Sequence, residues 1–172
     1  PKVILYSQNA EVYVVDNGSA DNTLEFLNLN FPTVKIVQNK ENFGFAGGYN
    51  EGLKKIDAEI YCLLNSDVEV TENWLQPVLN LFEKDKNIAA VQPKILDYNK
   101  RNYFEFAGAA GGFIDNLGYP YCRGRVFEKT EEDKGQYDDE TEIFWASGCC
   151  FFIRSKDFWQ QKGFDERFFA HQ

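Results

Sequence analysis

Three polar clusters in the chain could do chemistry: Asp16-Asn17-Gly18-Ser19, the run from Asn39 to Asn50, and Asn65-Ser66-Asp67. Each lies at or just after the end of a short run rich in strand-forming residues. In open parallel α/β sheets, ligands bind outside the carboxyl ends of the strands, so this shared placement weighs more than any one cluster. A carboxylate at the mouth of a buried strand is costly unless it is paired, solvated or bound to metal. Asp67 can offer oxygen to a hard cation, for which Mg²⁺ or Mn²⁺ is suited. Asn65 can add a carbonyl ligand or hydrogen-bond a ribose. Asn and Asp also serve in turns simply because they tolerate awkward backbone angles, and for this cluster the two readings stand level. Asp16 can accept hydrogen bonds from a base or ribose, or cap the next helix alone or with Ser19.

The run NKENFGFAGGYNEG, from Asn39 to Gly52, is rich in glycine. Gly44, Gly47 and Gly48 do not have the spacing of G-x-G-x-x-G, nor that of a P-loop with its Lys-Ser/Thr. A dinucleotide fold or a phosphate-cradling NTPase is therefore not supported. Glycines here can let backbone approach a ligand at a helix N-terminus, where an anion is favoured. The plainer alternative is a flexible loop leading into a loosely capped helix. His171 is the one histidine, and no nucleophile partners it in a hydrolase-type dyad. The four cysteines, Cys62, Cys122, Cys149 and Cys150, form no C-x-x-C pair, which argues against zinc. Cys149 and Cys150 are adjacent in a predicted strand and should face opposite ways, and buried, reduced thiols are expected.

The elements that must carry these clusters alternate. Strands are predicted over Glu11–Val15, Val34–Val37, Glu59–Leu64 and Ile88–Val91. A helix containing Leu24, Phe26 and Leu27 follows the first strand, another runs from about Ala46 to Ile56, and a third is capped by Thr71, with Pro77 early in it. Such alternation predicts an α/β fold with a mostly parallel sheet. After Pro93 the pattern changes. Phe104–Tyr121 reads as irregular strands and loops, and Glu128–Glu142 as an acidic, mobile surface loop. Strands are expected again at Ile143–Trp145 and Cys149–Ile153, then a short helix capped by Ser155 and ended by Gly163.

Pro1–Leu5 also reads as a strand, but too few residues separate it from the next for a crossover helix. With no Met among 172 residues, a longer parent chain is expected, with a segment missing before Tyr6. The end, Phe168–Gln172, also stops just after an aromatic stretch. The net charge of −9 argues against nucleic-acid binding, which needs clustered Lys and Arg. Nor does any apolar run reach the length of a bilayer span, and no signal peptide is visible, so a cytoplasmic chain is expected.

Taken in order, VVDNGSADNT, NKENFGFAGGYNEG, LLNSDVEV and SGCCFFIRSKDFWQQKGFDERFF resemble glycosyltransferase family 2, in the flavour of its rhamnosyltransferase-like group. The resemblance implies a GT-A fold over 1–172, with a nucleotide-sugar-binding half at 1–92 and an acceptor-side half at 93–172. It implies a nucleotide-diphosphate sugar as donor, a divalent cation, and inverting transfer to a saccharide or lipid-linked saccharide of cell-surface polysaccharide. An acceptor of that kind would put the chain at the inner face of the membrane. By resemblance, Asp16, Asn42, Gly44, Asn50 and Asn65 belong to nucleotide binding. Asp67 is the metal ligand, in a D-x-D position whose first Asp is replaced by Asn65. Trp145, Ser147 and Gly148 fall on the acceptor side, where the plainer reading is strand-turn packing. The general base of the family follows the GFDERFF motif, so it is expected beyond Gln172, and neither Asp165 nor Glu166 is assigned that role. The alternative on the same fold is a non-catalytic nucleotide-sugar or carbohydrate-binding module.

Overall fold

A computed structural model describes residues 1–169. The chain divides into two compact units: Pro1–Glu59 together with the stretch from Arg154 on, and Ile60–Ile153. The halves expected from the motifs, 1–92 and 93–172, divide the chain at a different place.

The first unit opens with α1 (Lys2–Tyr6), where a strand was expected. Five residues are too few for alternation to distinguish strand from helix, and Pro1 stands as the N-cap. Its carbonyl accepts the Leu5 N–H at 3.1 Å. Next come β1 (Tyr13–Asp16), α2 (Thr23–Asn30) and β2 (Lys35–Gln38). The two strands pair in parallel, Tyr13 opposite Lys35 through to Asp16 opposite Gln38. Neither Asp16 nor Ser19 caps α2; Asp21 accepts the Thr23 N–H at 3.0 Å and its hydroxyl at 2.5 Å. α3 (Gly44–Leu53) takes up most of the glycine-rich run itself and starts two residues earlier than expected. It lies close against β1 because Gly52 has no side chain: a Cβ there would stand 2.5 Å from Cγ1 of Val15.

In the second unit, β3 (Ile60–Leu64) leads to α4 (Leu75–Lys84). Thr71 does not cap this helix; it begins at Leu75, with Pro77 in the first turn, where no N–H is required. β4 (Ala90–Val91) follows, then two hairpins. The first pairs β5 (Gly112–Ile114) with β6 (Pro120–Cys122), and the second pairs β7 (Arg125–Val126) with β8 (Lys129–Thr130). The last strand, β9 (Cys150–Arg154), lies between β3 and β4 and runs antiparallel to β4. α5 (Ser155–Gln160) then belongs to the first unit. Ser155 is its first residue rather than its cap and donates its hydroxyl to the Glu59 carbonyl.

The sheet is therefore not the mostly parallel one expected. Among the described residues the sheets are small, and the parallel one is the two-stranded β1–β2. Helix-strand alternation predicts parallel pairing only while each crossover returns to the same sheet, and after Pro93 the chain makes antiparallel hairpins instead. The stretch Glu128–Glu142 also departs from the free loop its composition suggested. Lys94 sits between Asp133 at 2.7 Å and Asp138 at 2.5 Å, and Arg123 meets Asp139 at 3.0 Å. The partners of these acids lie outside the acidic window, where a local reading of composition does not look. Ile143–Trp145 forms only an isolated bridge, Gly112 to Trp145. Of the cysteines, Cys122 and Cys150 are buried and Cys149 is half-buried, but Cys62 is at the surface.

Two cores hold the second unit. Leu75, Val78 and Phe82 of α4 pack on Cys150 and Phe152 of β9, and a separate cluster gathers Phe104, Ala109, Ala110 and Cys122. No helix among the described residues is long and apolar enough to cross a membrane. Phe152 is 1% exposed and lies 5.5 Å from the Trp74 ring. Phe152→Ala is expected to destabilise this unit by about 3–5 kcal/mol, read from denaturant unfolding; a loss under about 1 kcal/mol would contradict its place in the core.

Candidate functional site

In the first unit, β1 delivers Asp16 to its end with only 5% of the residue exposed. Oδ1 of Asp16 accepts the Ser19 N–H at 3.3 Å, and its backbone carbonyl accepts the Asn39 N–H at 2.9 Å. The neighbouring Asn17 is the hub of the cluster. Its Nδ2 donates to Oδ1 of Asn42 at 3.0 Å and to the Gly44 carbonyl at 2.9 Å. Its Oδ1 accepts from Nδ2 of Asn39 at 3.1 Å and from the Phe43 N–H at 3.3 Å. Asn42 in turn accepts the Gly44 N–H at 2.9 Å. Asn39 is 7% exposed, and its Nδ2 also donates to the Gly48 carbonyl at 3.0 Å. Its Oδ1 is buried with no hydrogen-bond partner among the described residues. Asn17 and Asn39 were not singled out from sequence, although both sit inside the polar clusters.

The glycines of α3 do other work than expected. Gly44 has φ +71°, and a Cβ on it would lie 2.2 Å from the Phe169 carbonyl oxygen. That carbonyl accepts the Phe45 N–H at 2.7 Å, so the chain itself fills this part of the helix N-terminus. Gly48 makes room for the Asn17 side chain, 2.7 Å from where its Cβ would be. Asn50 is 3% exposed and bonds Phe164 and Glu166.

In the second unit, β3 runs directly into the Asn65-Ser66-Asp67 turn. The Asn65 N–H donates to the Cys149 carbonyl at 3.0 Å, and the Asn65 carbonyl accepts the Val68 N–H at 3.3 Å. The turn leaves Asp67 exposed and Asn65 half-buried. Close to Cys149 the chain forms a second polar knot. Gln92 accepts the Ser147 N–H at 2.6 Å and donates to the Gly108 carbonyl at 3.0 Å. Gly108 permits the approach, since a Cβ there would lie 2.4 Å from that of Ser147. Glu105 accepts the N–H groups of Ala107 and Gly108 at 2.7 and 3.0 Å. Trp145 is half-buried, its indole N–H donating to the Phe113 carbonyl at 3.0 Å, while Gly148 is exposed. Gln92 and Glu105 carried no sequence signal, because the loops they bind are distant in the chain. The structure thus groups Asp16, Asn42, Gly44 and Asn50 in one unit, and Asn65, Asp67, Trp145, Ser147 and Gly148 in the other. His171 lies outside the described residues.

Burial, helped by the negative charges of Glu105, Cys150 and Asp67, pushes the Cys149 thiol up to about 11. Only about 0.1% of it is then thiolate at pH 8, and the thiolate is the nucleophile. Alkylation of Cys149 by iodoacetamide is expected to be slow at pH 8 and to quicken about tenfold for each pH step up to 11. Asp67→Asn removes a charge that opposes ionisation, so it should quicken the reaction. Labelling at pH 8 as fast as that of an exposed cysteine would contradict this environment.

Residues 3–161 match the pattern of the family described as "Glycosyl transferase family 2". The chain is similar to N-acetylglucosaminyl-diphospho-decaprenol L-rhamnosyltransferase of Mycobacterium tuberculosis, with 24% identity over 93% of this chain and 57% of that protein. It is also similar to polypeptide N-acetylgalactosaminyltransferase 10 of Mus musculus, with 27% identity over 91% of this chain and 26% of that one. The chain therefore spans roughly a quarter to just over half the length of these relatives. Among solved structures it resembles GalNAc-T7 with UDP, GalNAc and Mn²⁺, at a TM-score of 0.66 and 18% identity, over 96% of this chain and 33% of that one. That likeness shows a GT-A-like fold, in which small sheets stand where a mostly parallel central sheet was expected. A sequence match spanning nearly the whole chain, with the strand-end clusters inside it, makes this protein a member of glycosyl transferase family 2.

Proposed function

We propose that the chain is the donor-binding region of an inverting glycosyltransferase, moving a sugar from a nucleotide-diphosphate sugar to an acceptor hydroxyl. The observation that carries this reading is Asp67, an exposed carboxylate presented by a tight turn directly after β3, with Asn65 beside it in sequence. Mg²⁺ and Mn²⁺ are commonly held by one or two carboxylates plus phosphate oxygens and water, not by an all-protein cage. The oxygens of Asp67 and Asn65 fit that donor set. Among the described residues no group of three His, Cys, Asp or Glu side chains is placed to hold a metal, so the rest of the coordination falls to the donor and solvent. The cation, when bound, supplies charge neutralisation for the diphosphate leaving group.

The chain's own residues do the rest. Asp16, fixed by the Ser19 N–H, accepts hydrogen bonds from the base or ribose of the donor. Ser147, held by Gln92, presents its hydroxyl on the acceptor side with Gly148 and Trp145. A general base takes the acceptor proton, and none of the described residues is given that role. In-line attack at the anomeric carbon then inverts its configuration. Bound UDP in the solved relative supports a UDP-sugar as donor, while the mycobacterial relative's name supports rhamnose and a lipid-linked acceptor, of the kind cell-surface polysaccharide synthesis would use. Such an acceptor would bring a cytoplasmic protein to the inner face of the membrane.

Calorimetric titration with UDP, dTDP and GDP, each with and without Mn²⁺, tests the reading. One nucleotide is expected to bind tenfold or more tightly with the metal, and Asp67→Ala should remove the metal dependence and sugar transfer together. Full transfer by the Asp67→Ala protein would refute Asp67 as the ligand. Failure of all three to bind a folded sample would favour a non-catalytic module, consistent with Asn65 in place of a carboxylate.

A further inference from the structure

Asn50 lies in the glycine-rich run, yet its amide is committed to the far end of the chain. Oδ1 accepts the Phe164 N–H at 2.9 Å, and Nδ2 donates to the Phe164 carbonyl and to Oε1 of Glu166, both at 2.9 Å. A side-chain amide has two donor hydrogens, and both are used here, so Nδ2 has none left for a ligand. Gly163, at φ +77°, completes the fit, since a Cβ on it would stand 2.3 Å from Oδ1 of Asn50. At the other end of the same segment, the Phe169 carbonyl rests on the Phe45 N–H over the space left by Gly44. At the first of these points the Phe164 ring also packs on Phe45 and Tyr49 of α3 and on Phe158, with centroids 6.0, 6.1 and 5.3 Å away. The segment is thus fastened to α3 near both ends. It finishes beside Gly44, whose own carbonyl is held by Asn17 at the Asp16 end of β1.

We propose that Asn50, Gly44 and Gly163 form a latch that sets the register of Gly163–Phe169 on α3, and that Asn50 serves the transfer reaction as a positioning residue and not as a contact to the nucleotide. The role in transfer rests on the glycosyltransferase reading above; the latch itself does not. Setting that register fixes where the chain leaves Phe169, next to the β1 end where Asp16 sits.

Two variants approach the latch from opposite sides. Asn50→Ala removes its three hydrogen bonds, whereas Gly163→Ala drives a methyl group into Oδ1 of Asn50 and lies outside the glycine-rich run. Both are made in the full-length protein. Hydrogen exchange at the Phe45 and Phe164 amides, calorimetric UDP binding with Mn²⁺, and sugar-transfer kinetics are then measured. Both variants are expected to exchange at least about tenfold faster at these two amides, reflecting lost hydrogen bonds and local opening. UDP affinity is expected to stay within about twofold of the wild type while kcat falls at least about tenfold. If Asn50→Ala weakens UDP binding more than tenfold with exchange unchanged, while Gly163→Ala leaves UDP binding intact, Asn50 is a nucleotide contact and the proposal is wrong. Should Asn50→Ala fail to fold, Gly163→Ala, whose methyl group displaces the Oδ1 of Asn50 that accepts the Phe164 N–H, decides alone, and unchanged exchange at Phe164 there would also overturn the latch. If the wild type binds none of UDP, dTDP and GDP, the transferase reading fails, and exchange alone still decides whether the latch exists.

Discussion

The amide of Asn17 has four hydrogen-bonding partners: two accept from its Nδ2 and two donate to its Oδ1. One side chain thereby fastens the loop after β2 and the first residue of α3 to the end of β1. Asn17 is half-buried and its partner Asn39 is buried, and buried polar groups are expensive unless paired, so such a hub has few alternative arrangements. The position of Asp16 follows from it, because the turn at Gly18 presses on the backbone of Glu41 and Asn42, where a Cβ would come within 2.7 Å. The placement of α3 depends on it as well, and through α3 the placement of the segment that Asn50 holds.

Close approach of chain to chain is the common theme of the glycines. Gly44 meets Phe169, Gly48 meets Asn17, Gly52 meets Val15, and Gly108 meets Ser147. A glycine-rich run before a helix is readily taken for a cradle for anions, since exposed N–H groups favour negative charge. Here the Phe45 N–H is satisfied by a carbonyl of the same chain. The second unit uses a similar device with different residues, for the Gln92 amide joins Ser147 to Gly108 much as Asn17 joins Asn42 to Gly44.

Much of this was legible in the sequence. The apolar runs ending at Asp16 and at Asn65 marked two strands and their polar ends, because a strand's apolar residues must stop where the sheet stops. The order of the four motifs identified the family. What was hidden depends on partners far apart in the chain. Asn50 and Phe164 are 114 positions apart, and Gln92 and Ser147 are 55 apart. No local pattern encodes such pairs. Short elements were misread for another reason: Lys2–Tyr6 has too few residues for a period of two or of 3.6 to show. The acidic stretch around Asp133 and Asp138 was read from its own composition, whereas its order comes from Lys94, well upstream.

The packing duties of Asn17, Gly44 and Asn50 bear on how descent would be recorded in sequences of this kind. A lineage that lost its chemistry would still need these residues to fold, so selection for stability alone would preserve the glycine-rich motif. Survival of that motif in a diverged copy is therefore a record of architecture. Asp67, exposed on its turn, carries no comparable obligation to the fold. On the metal-ligand role proposed for Asp67, drift after loss of activity would be written there first, and the contrast between a preserved run at 39–52 and a varied position 67 would mark a retired enzyme.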